Sequence, residues 1–161
     1  MPFIVETGVG YNNSNSLASV EFADEYHAER GNAAWADIEL ARKQQLLIKA
    51  TDYATGKYGS AFDGRKAIAG QALPFPRIVN YTNVGNPIGV QQAIAELALI
   101  ANTTPLSPNV ARGKKRVKVG PIDVEYDGNS STQTEFVTAS LKLAPFLKST
   151  AGGMTRRLVR T

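Results

Sequence analysis

One histidine and no cysteine stand in this chain of 161 residues, and those two counts decide most of the chemistry open to it. His27 follows Asp24 by three residues, so on a helix the pair would sit one turn apart on one face. A Ser-His-Asp hydrolase would need a serine as well. Serines occur in the nearby Asn-rich loop, but no nucleophile elbow surrounds them. The plainer reading of His27 is a helix histidine that packs or hydrogen-bonds locally. Without cysteine there are no disulfides, no thiolate nucleophile and no cysteine-held metal, and one histidine cannot build a zinc site alone. The carboxylates show no EF-hand spacing. Gly59 followed by Gly64-Arg65-Lys66 is a near miss for a phosphate loop. Arg65 stands where the phosphate-binding lysine belongs, and Lys66 where a magnesium-ligating hydroxyl belongs. These residues predict no enzyme and no cofactor.

Basic residues are the other candidates. Arg112, Lys114, Lys115, Arg116 and Lys118 cluster before and within one segment near Tyr126, and Arg156, Arg157 and Arg160 crowd the C-terminal end. Residues 1–111 hold 8 Lys+Arg against 10 Asp+Glu, a net −2, whereas 112–161 hold 10 against 4, a net +6. Such polarity suits a nucleic-acid contact or head-to-tail stacking of subunits, the basic end of one meeting the acidic part of the next. A single-strand binder also needs stacking aromatics, and at 8% of the chain these are sparse and mostly at helical core spacing. Trp35 fits better as a plug between the first two helices than as a platform.

The elements that must carry these residues follow from periodicity and punctuation. Apolar residues at 43% and charged residues at 20% predict one folded domain rather than a disordered chain. No apolar run reaches the roughly 20 residues of a membrane span, and no export signal is visible, so a soluble protein without a membrane partner is expected. The sequons at Asn12, Asn80, Asn102 and Asn129 then read as loops. Residues 6–18, rich in Gly, Asn and Ser, predict a loop or extended arm. Ser19 predicts an N-cap for a helix to about Arg30, stopped by Gly31, with Val20, Ala23, Tyr26 and His27 inward. A longer helix is expected from Asp37 to about Lys57, burying Leu40, Leu46, Leu47, Ala50, Tyr53 and Ala54.

Residues 60–86 read as irregular, with Leu73-Pro74-Phe75-Pro76 extended because each proline excludes the α region before it. Asn86-Pro87 predicts an N-cap and a first-turn proline. The helix from Ile88 to about Asn102 is apolar almost all round except for Gln91, Gln92 and Glu96, as expected of a central helix or one covered by a partner. Residues 116–126 alternate about Gly120-Pro121 and predict a β-hairpin with Val117, Val119, Ile122, Val124 and Tyr126 as its apolar positions. A last helix from about Glu135 would turn Phe136, Leu143, Phe146 and Leu147 inward and kink or end at Pro145. The predicted fold class is mainly α: a small bundle of about four helices with a short β-hairpin and extended terminal arms. Residues 1–149 are expected to form a single helical domain with an N-terminal arm and the hairpin near 116–126, and 150–161 a flexible C-terminal arm.

Several of these stretches occur together in a known order. Val5-Glu-Thr-Gly-Val-Gly-Tyr-Asn-Asn-Ser-Asn-Ser16, Ala23-Asp-Glu-Tyr-His-Ala-Glu-Arg-Gly-Asn32 and Trp35 come first. Leu47-Ile-Lys-Ala-Thr-Asp-Tyr53, Gln71-Ala-Leu-Pro-Phe-Pro-Arg77 and Val90-Gln-Gln-Ala-Ile-Ala-Glu-Leu-Ala98 come next, then Lys118-Val-Gly-Pro-Ile-Asp-Val-Glu-Tyr126 and Arg157-Leu-Val-Arg160. The set, which covers nearly the whole chain, resembles a family of tailed-bacteriophage proteins often labelled DnaT-like single-stranded DNA-binding proteins and similar to head–tail connector adaptors. It departs from the family pattern at Phe75, where Trp is expected before Pro-Arg, and in the unusual loop Ile78 to Gly85.

The resemblance implies a structural virion protein, a neck adaptor in a dodecameric ring under the portal that links capsid to tail, present in the host cytoplasm during assembly and then in the virion neck. Its partners would be its own copies, the portal protein, and the tail or a second neck protein. Arg156, Arg157, Leu158, Val159 and Arg160 would form the portal arm. Arg116, Lys118, Pro121, Ile122, Val124 and Tyr126 would form an intersubunit or tail-facing hairpin. Arg112, Lys114, Lys115 and Arg116 would face DNA passing through the channel without sequence specificity. The alternative is a replication accessory protein that coats single-stranded DNA.

Overall fold

The structure is a computed structural model that describes residues 2–108 and 135–148 and the backbone of 116–119 and 122–125. It is mainly helical, with helices α1 (Val20–Ala28), α2 (Ala33–Ala36), α3 (Leu40–Tyr58), α4 (Ile88–Thr103) and α5 (Val137–Leu143), the last running into a 3₁₀ turn at Ala144–Phe146. Strands β1 (Arg65–Lys66), β2 (Arg77–Val79) and β3 (Thr82–Val84) form an antiparallel sheet in that order, and β4 (Arg116–Val119) pairs with β5 (Ile122–Glu125) as a separate hairpin.

Helix α4 is the axis, packed by α1, α3 and α5. Val90, Ala93, Ile94, Ala95, Leu97 and Ala98 are buried, a face too broad for one partner helix. Its predicted polar stripe is used inside the fold. Gln91 Nε2 donates to the Asn86 carbonyl at 3.0 Å, Gln92 Oε1 accepts from Lys142 at 3.4 Å, and Glu96 accepts from the Tyr26 hydroxyl at 2.6 Å. Burial, and then the Glu96 carboxylate, push the Tyr26 pKa up to about 12.

Helix α1 matches its reading residue by residue. Extended Ser19 accepts from the Phe22 amide at 3.1 Å, and Val20, Ala23, Tyr26 and His27 are buried. Gly31 at φ +66° turns the chain away. The long helix expected from Asp37 begins instead at Leu40, and an additional short helix, α2, occupies Ala33–Ala36 before it. Trp35 is 1% exposed there and plugs the α1–α3 junction as expected. Leu40, predicted inward, is 60% exposed because it lies in the first turn of α3, beyond the core. Leu46, Leu47, Ala50, Tyr53 and Ala54 are buried as predicted.

Asn86 does not cap α4. Pro87 takes the N-cap position, and Asn86 Nδ2 instead donates to the carbonyls of Glu6 at 2.7 Å and Leu17 at 2.8 Å. Those acceptors belong to the N-terminal segment, which is consequently no extended arm. The Glu6 carboxylate, 1% exposed, accepts from the amides of Gly8, Gly10 and Tyr11 at 2.8–2.9 Å and from the Ser14 hydroxyl at 3.2 Å. Gly8 and Gly10, at φ +98° and +87°, let the backbone curl around it. The Leu17 amide donates to Thr51 of α3 at 3.1 Å, completing the attachment.

Residues 60–86, read as irregular, contain the small sheet. Strands of two or three residues are too short to show alternation. They are fixed instead by Arg77, 7% exposed, which donates to the carbonyls of Phe62, Asp63, Gly64 and Pro74. Leu73-Pro74-Phe75-Pro76 is buried and bent, with a cis Phe75–Pro76 bond, rather than simply extended. Phe75 lies between Phe62 and Phe146, with ring centroids at 5.0 and 6.3 Å. Pro145 ends α5 in the 3₁₀ turn as predicted, and the chain then bridges back, Leu147 pairing with Phe62. Residues 150–161, the predicted C-terminal arm, lie outside the described residues.

Glu6→Ala strands three amides and a hydroxyl, so the variant is expected to lose about 3 kcal/mol of stability, read from its urea midpoint. A midpoint equal to that of the parent would show that the carboxylate does not hold the segment.

Candidate nucleic-acid interface

The predicted hairpin is present, and its register pairs Arg116 with Glu125, Val117 with Val124, Lys118 with Asp123 and Val119 with Ile122. Arg116, Lys118, Ile122 and Val124 are thereby placed on the two strands. Arg112, Lys114, Lys115, Pro121, Tyr126 and the tail residues Arg156, Arg157, Leu158, Val159 and Arg160 lie outside the described residues.

The root of that basic segment is defined by the structure alone. The chain enters it at Pro108 and returns at Glu135, and both ends stand over the same stretch of α3. Before it, Pro105, Leu106 and Ser107 line a cleft of about 550 Å³ with Lys49, Asp52, Tyr53, Gly56 and Lys57 of α3 and Ala101 of α4. After it, Phe136 meets the Tyr53 ring edge-on at 5.5 Å. Lys49, Tyr53 and Lys57 recur every four residues, so α3 brings them onto one face. Gly56 leaves the floor open, since a Cβ there would meet nothing within 4 Å.

Lys57 Nζ donates to the Tyr53 hydroxyl at 3.0 Å and lies about 5.5 Å from the Tyr53 and Tyr58 ring centroids. Burial works against its charge, but the Tyr53 hydrogen bond and the two phenols together prevail and raise its pKa. Burial also raises the Asp52 carboxyl above the ordinary carboxylate value. Two lysines against one carboxylate leave the cleft positive, suited to a phosphate group by charge alone. Tyr53 is only 8% exposed and offers no stacking face. Sequence reading took it as core and passed over the lysines on either side; their four-residue spacing was the available signal.

The other candidates resolve into structural parts. Asp24 accepts from the Trp35 indole at 2.7 Å and pairs with Lys43 at 2.9 Å, turning away from catalysis with His27. His27 Nδ1 is 3.0 Å from the Asn32 amide nitrogen and Nε2 is 3.1 Å from the Ala95 carbonyl. The amide can only donate, so Nδ1 accepts and Nε2–H donates, and a neutral imidazole ties α1 to α4. Gly64-Arg65-Lys66 opens onto strand β1, not a helix, and Lys66 donates to the Gln71 carbonyl at 3.0 Å. Among the described residues, no group of three or more His, Cys, Asp or Glu could hold a metal ion, and no helix is long and apolar enough to cross a membrane.

Burial, offset only in part by the Ala95 carbonyl, lowers the His27 pKa. The unfolded chain therefore takes up its proton first. The neutral His27 contribution is complete above about pH 6.5 and is lost as pH falls below the unfolded-state value toward the lower folded one. Unfolding free energy measured from pH 7.5 to 5 is expected to fall more steeply for the parent chain than for His27→Gln. Parallel profiles would count against this role.

No curated protein and no solved structure matches the chain. A family model described as "Putative DnaT-like ssDNA binding protein" matches residues 1–161. A match of that extent covers the helical body and the basic segments together, and the chain belongs to this family.

Proposed function

We propose that the chain is a non-catalytic single-stranded DNA-binding protein that holds the phosphate backbone without reading sequence. The observation that carries this reading is the rooting of the basic segment. Arg112, Lys114, Lys115 and Arg116 belong to a stretch whose two ends stand over the Lys49–Lys57 cleft, so the chain that carries them starts and finishes beside two further lysines. The family description supports single-stranded DNA as the ligand. Phosphate attraction alone gives sequence-independent, salt-dependent binding.

A labelled oligo-dT is expected to bind the full chain at micromolar concentration or tighter in low salt. Neutralising Lys114, Lys115 and Arg116 together should lower the slope of log affinity against log salt by about 0.7 for each lost contact. Lys49→Ala and Lys57→Ala should each weaken binding less. No binding at low salt would remove the reading.

A second reading, a head–tail connector subunit of a phage neck, is favoured by two unlike apolar patches. Val9, Tyr11 and Ile68 are 57%, 41% and 46% exposed. They are neighbours, because a Cβ on Gly10 would touch Ile68 and the Ala72 amide donates to the Tyr11 carbonyl. Val137 and Leu141, one turn apart on α5, are 61% and 69% exposed. Unlike patches on one subunit suit head-to-tail contact, which closes into a ring when the rotation allows. In this reading residues 156–160 engage the portal, the hairpin meets a neighbouring subunit or the tail, and the protein acts in the virion neck. Removing the residues after Thr150 should leave a folded chain that no longer joins portal-containing particles. Normal incorporation would end the arm assignment.

A further inference from the structure

We infer that the tip of the β2–β3 hairpin is a stacking platform for one unpaired base, formed by Tyr81 with Arg65 beside it to meet the adjoining phosphate; this rests on the single-stranded DNA reading above. Val79 pairs with Thr82, so only Asn80 and Tyr81 form the turn, at φ +48° and +65°. A two-residue turn with both residues left-handed suits the twist of a hairpin and ordinarily takes Asn then Gly. Asn80 obeys that preference. Tyr81 does not, since a bulky side chain in this region is strained.

Packing does not offset that strain. The Tyr81 side chain is 102% exposed, while large aromatics such as Trp35, Phe62 and Phe75 are buried at 2% or less. The ring is thus presented to solvent by a turn that would be more comfortable without it. The mounting is firm. Ile78 pairs with Arg65 of β1 and Asn83 of β3, and Arg77 behind them is held by four carbonyls. Gly64, at φ +70°, lies so close to the Ile78 carbonyl that any Cβ would strike it. Such a base fixes the backbone from which the ring projects.

The surroundings select the ligand. Gly64, Arg65, Ile78, Asn80 and Tyr81 line an open hollow of about 340 Å³. Arg65 is exposed, and so are Thr82 and Asn83 beyond the ring. An apolar protein partner would be met by exposed apolar neighbours around the aromatic, and here the nearest apolar residues, Ile78 and Val79, are both half-buried. A nucleobase offers a flat face to the ring, polar edges to asparagine and threonine, and a phosphate to the guanidinium. Duplex DNA keeps its base faces covered, so the platform favours a single strand.

Tyr81→Gly separates the two consequences of this geometry. Relief of the left-handed strain should raise the Tm, while loss of the ring should weaken oligo-dT binding by the full chain roughly five- to a hundredfold at low salt, the usual range for one stacked base. The salt slope should stay unchanged for Tyr81→Gly and fall by about 0.7 for Arg65→Ala. In Tyr81→Trp the new indole should be quenched on titration with oligo-dT, against a Trp35 that is 1% exposed. An oligonucleotide abasic throughout should bind the parent and Tyr81→Gly equally. If Tyr81→Gly binds oligo-dT as tightly as the parent and the Tyr81→Trp chain shows no quenching, the platform is overturned and the DNA reading stands. If Tyr81→Gly leaves DNA binding intact but abolishes self-association or particle incorporation, the hairpin is a protein-docking knob and the platform is equally overturned. If the parent binds no oligonucleotide at all, the DNA reading fails first and takes the platform with it.

Discussion

Burial of α4 on several sides is the constraint on which the rest of the structure depends. A helix with Val90, Ile94, Leu97 and several small alanine or glycine positions cannot be stable with that broad face in water, so α1, α3 and α5 must all reach it. Close approach is built into its sequence. A Cβ on Gly89 would collide with the Phe146 ring, so the turn after α5 can sit against the start of α4 only because that position is glycine. The polar residues left on α4 are then committed inward, Gln91 to Asn86, Gln92 to Lys142 and Glu96 to Tyr26. Its stripe of polarity is a set of fasteners, which makes α4 a poor place for a ligand and moves binding to the periphery.

At the periphery the chain is largely irregular, and two buried charges replace the ladders that regular structure would provide. Glu6 gathers amide donors and Arg77 gathers carbonyl acceptors, each meeting the hydrogen-bond demand of a segment with no helix of its own. Neither uses an opposite charge as its main partner. Burial draws the Arg77 pKa downward, with only the Asp63 charge working the other way. The cost of keeping these ions buried is met by backbone groups that would otherwise be unsatisfied. As a result, Val9, Tyr11 and Tyr81 are displayed on firmly held loops.

The helical frame was legible because its signals are local. Ser19 and Gly31 bound α1 by capping chemistry, the apolar spacing of α3 and α4 exposes their inner faces, and Pro145 marks where α5 must end. Several of the misreadings share one cause, competition from residues distant in sequence. Asn86 has the right chemistry to cap α4, but the carbonyls of Glu6 and Leu17 claim it. The Gly/Asn-rich opening has the composition of an arm, but one glutamate organises it. The Lys49–Lys57 cleft needed the position of Pro105–Ser107 and Phe136, which no periodicity in α3 contains. The hairpin at 116–126 was readable from alternation alone, whereas β1–β3 depend on Arg77 and were not.

The charge distribution can now be placed against this frame. The part that supplies the scaffold carries the slight acidic excess, and the basic excess begins after Ala111. A uniformly basic body would repel its own copies and attract nucleic acid everywhere. Setting the net positive charge after Ala111 separates it in sequence from the apolar patch on the N-terminal loop, which is exposed and open to protein contact. On the two proposed readings, DNA contact draws on the basic residues and ring assembly on the exposed apolar patches, with Arg116 of the hairpin common to both. Copies arranged head to tail would bring many weak phosphate contacts into one array, and multivalency would supply an affinity that a single cleft of two lysines and one aspartate does not.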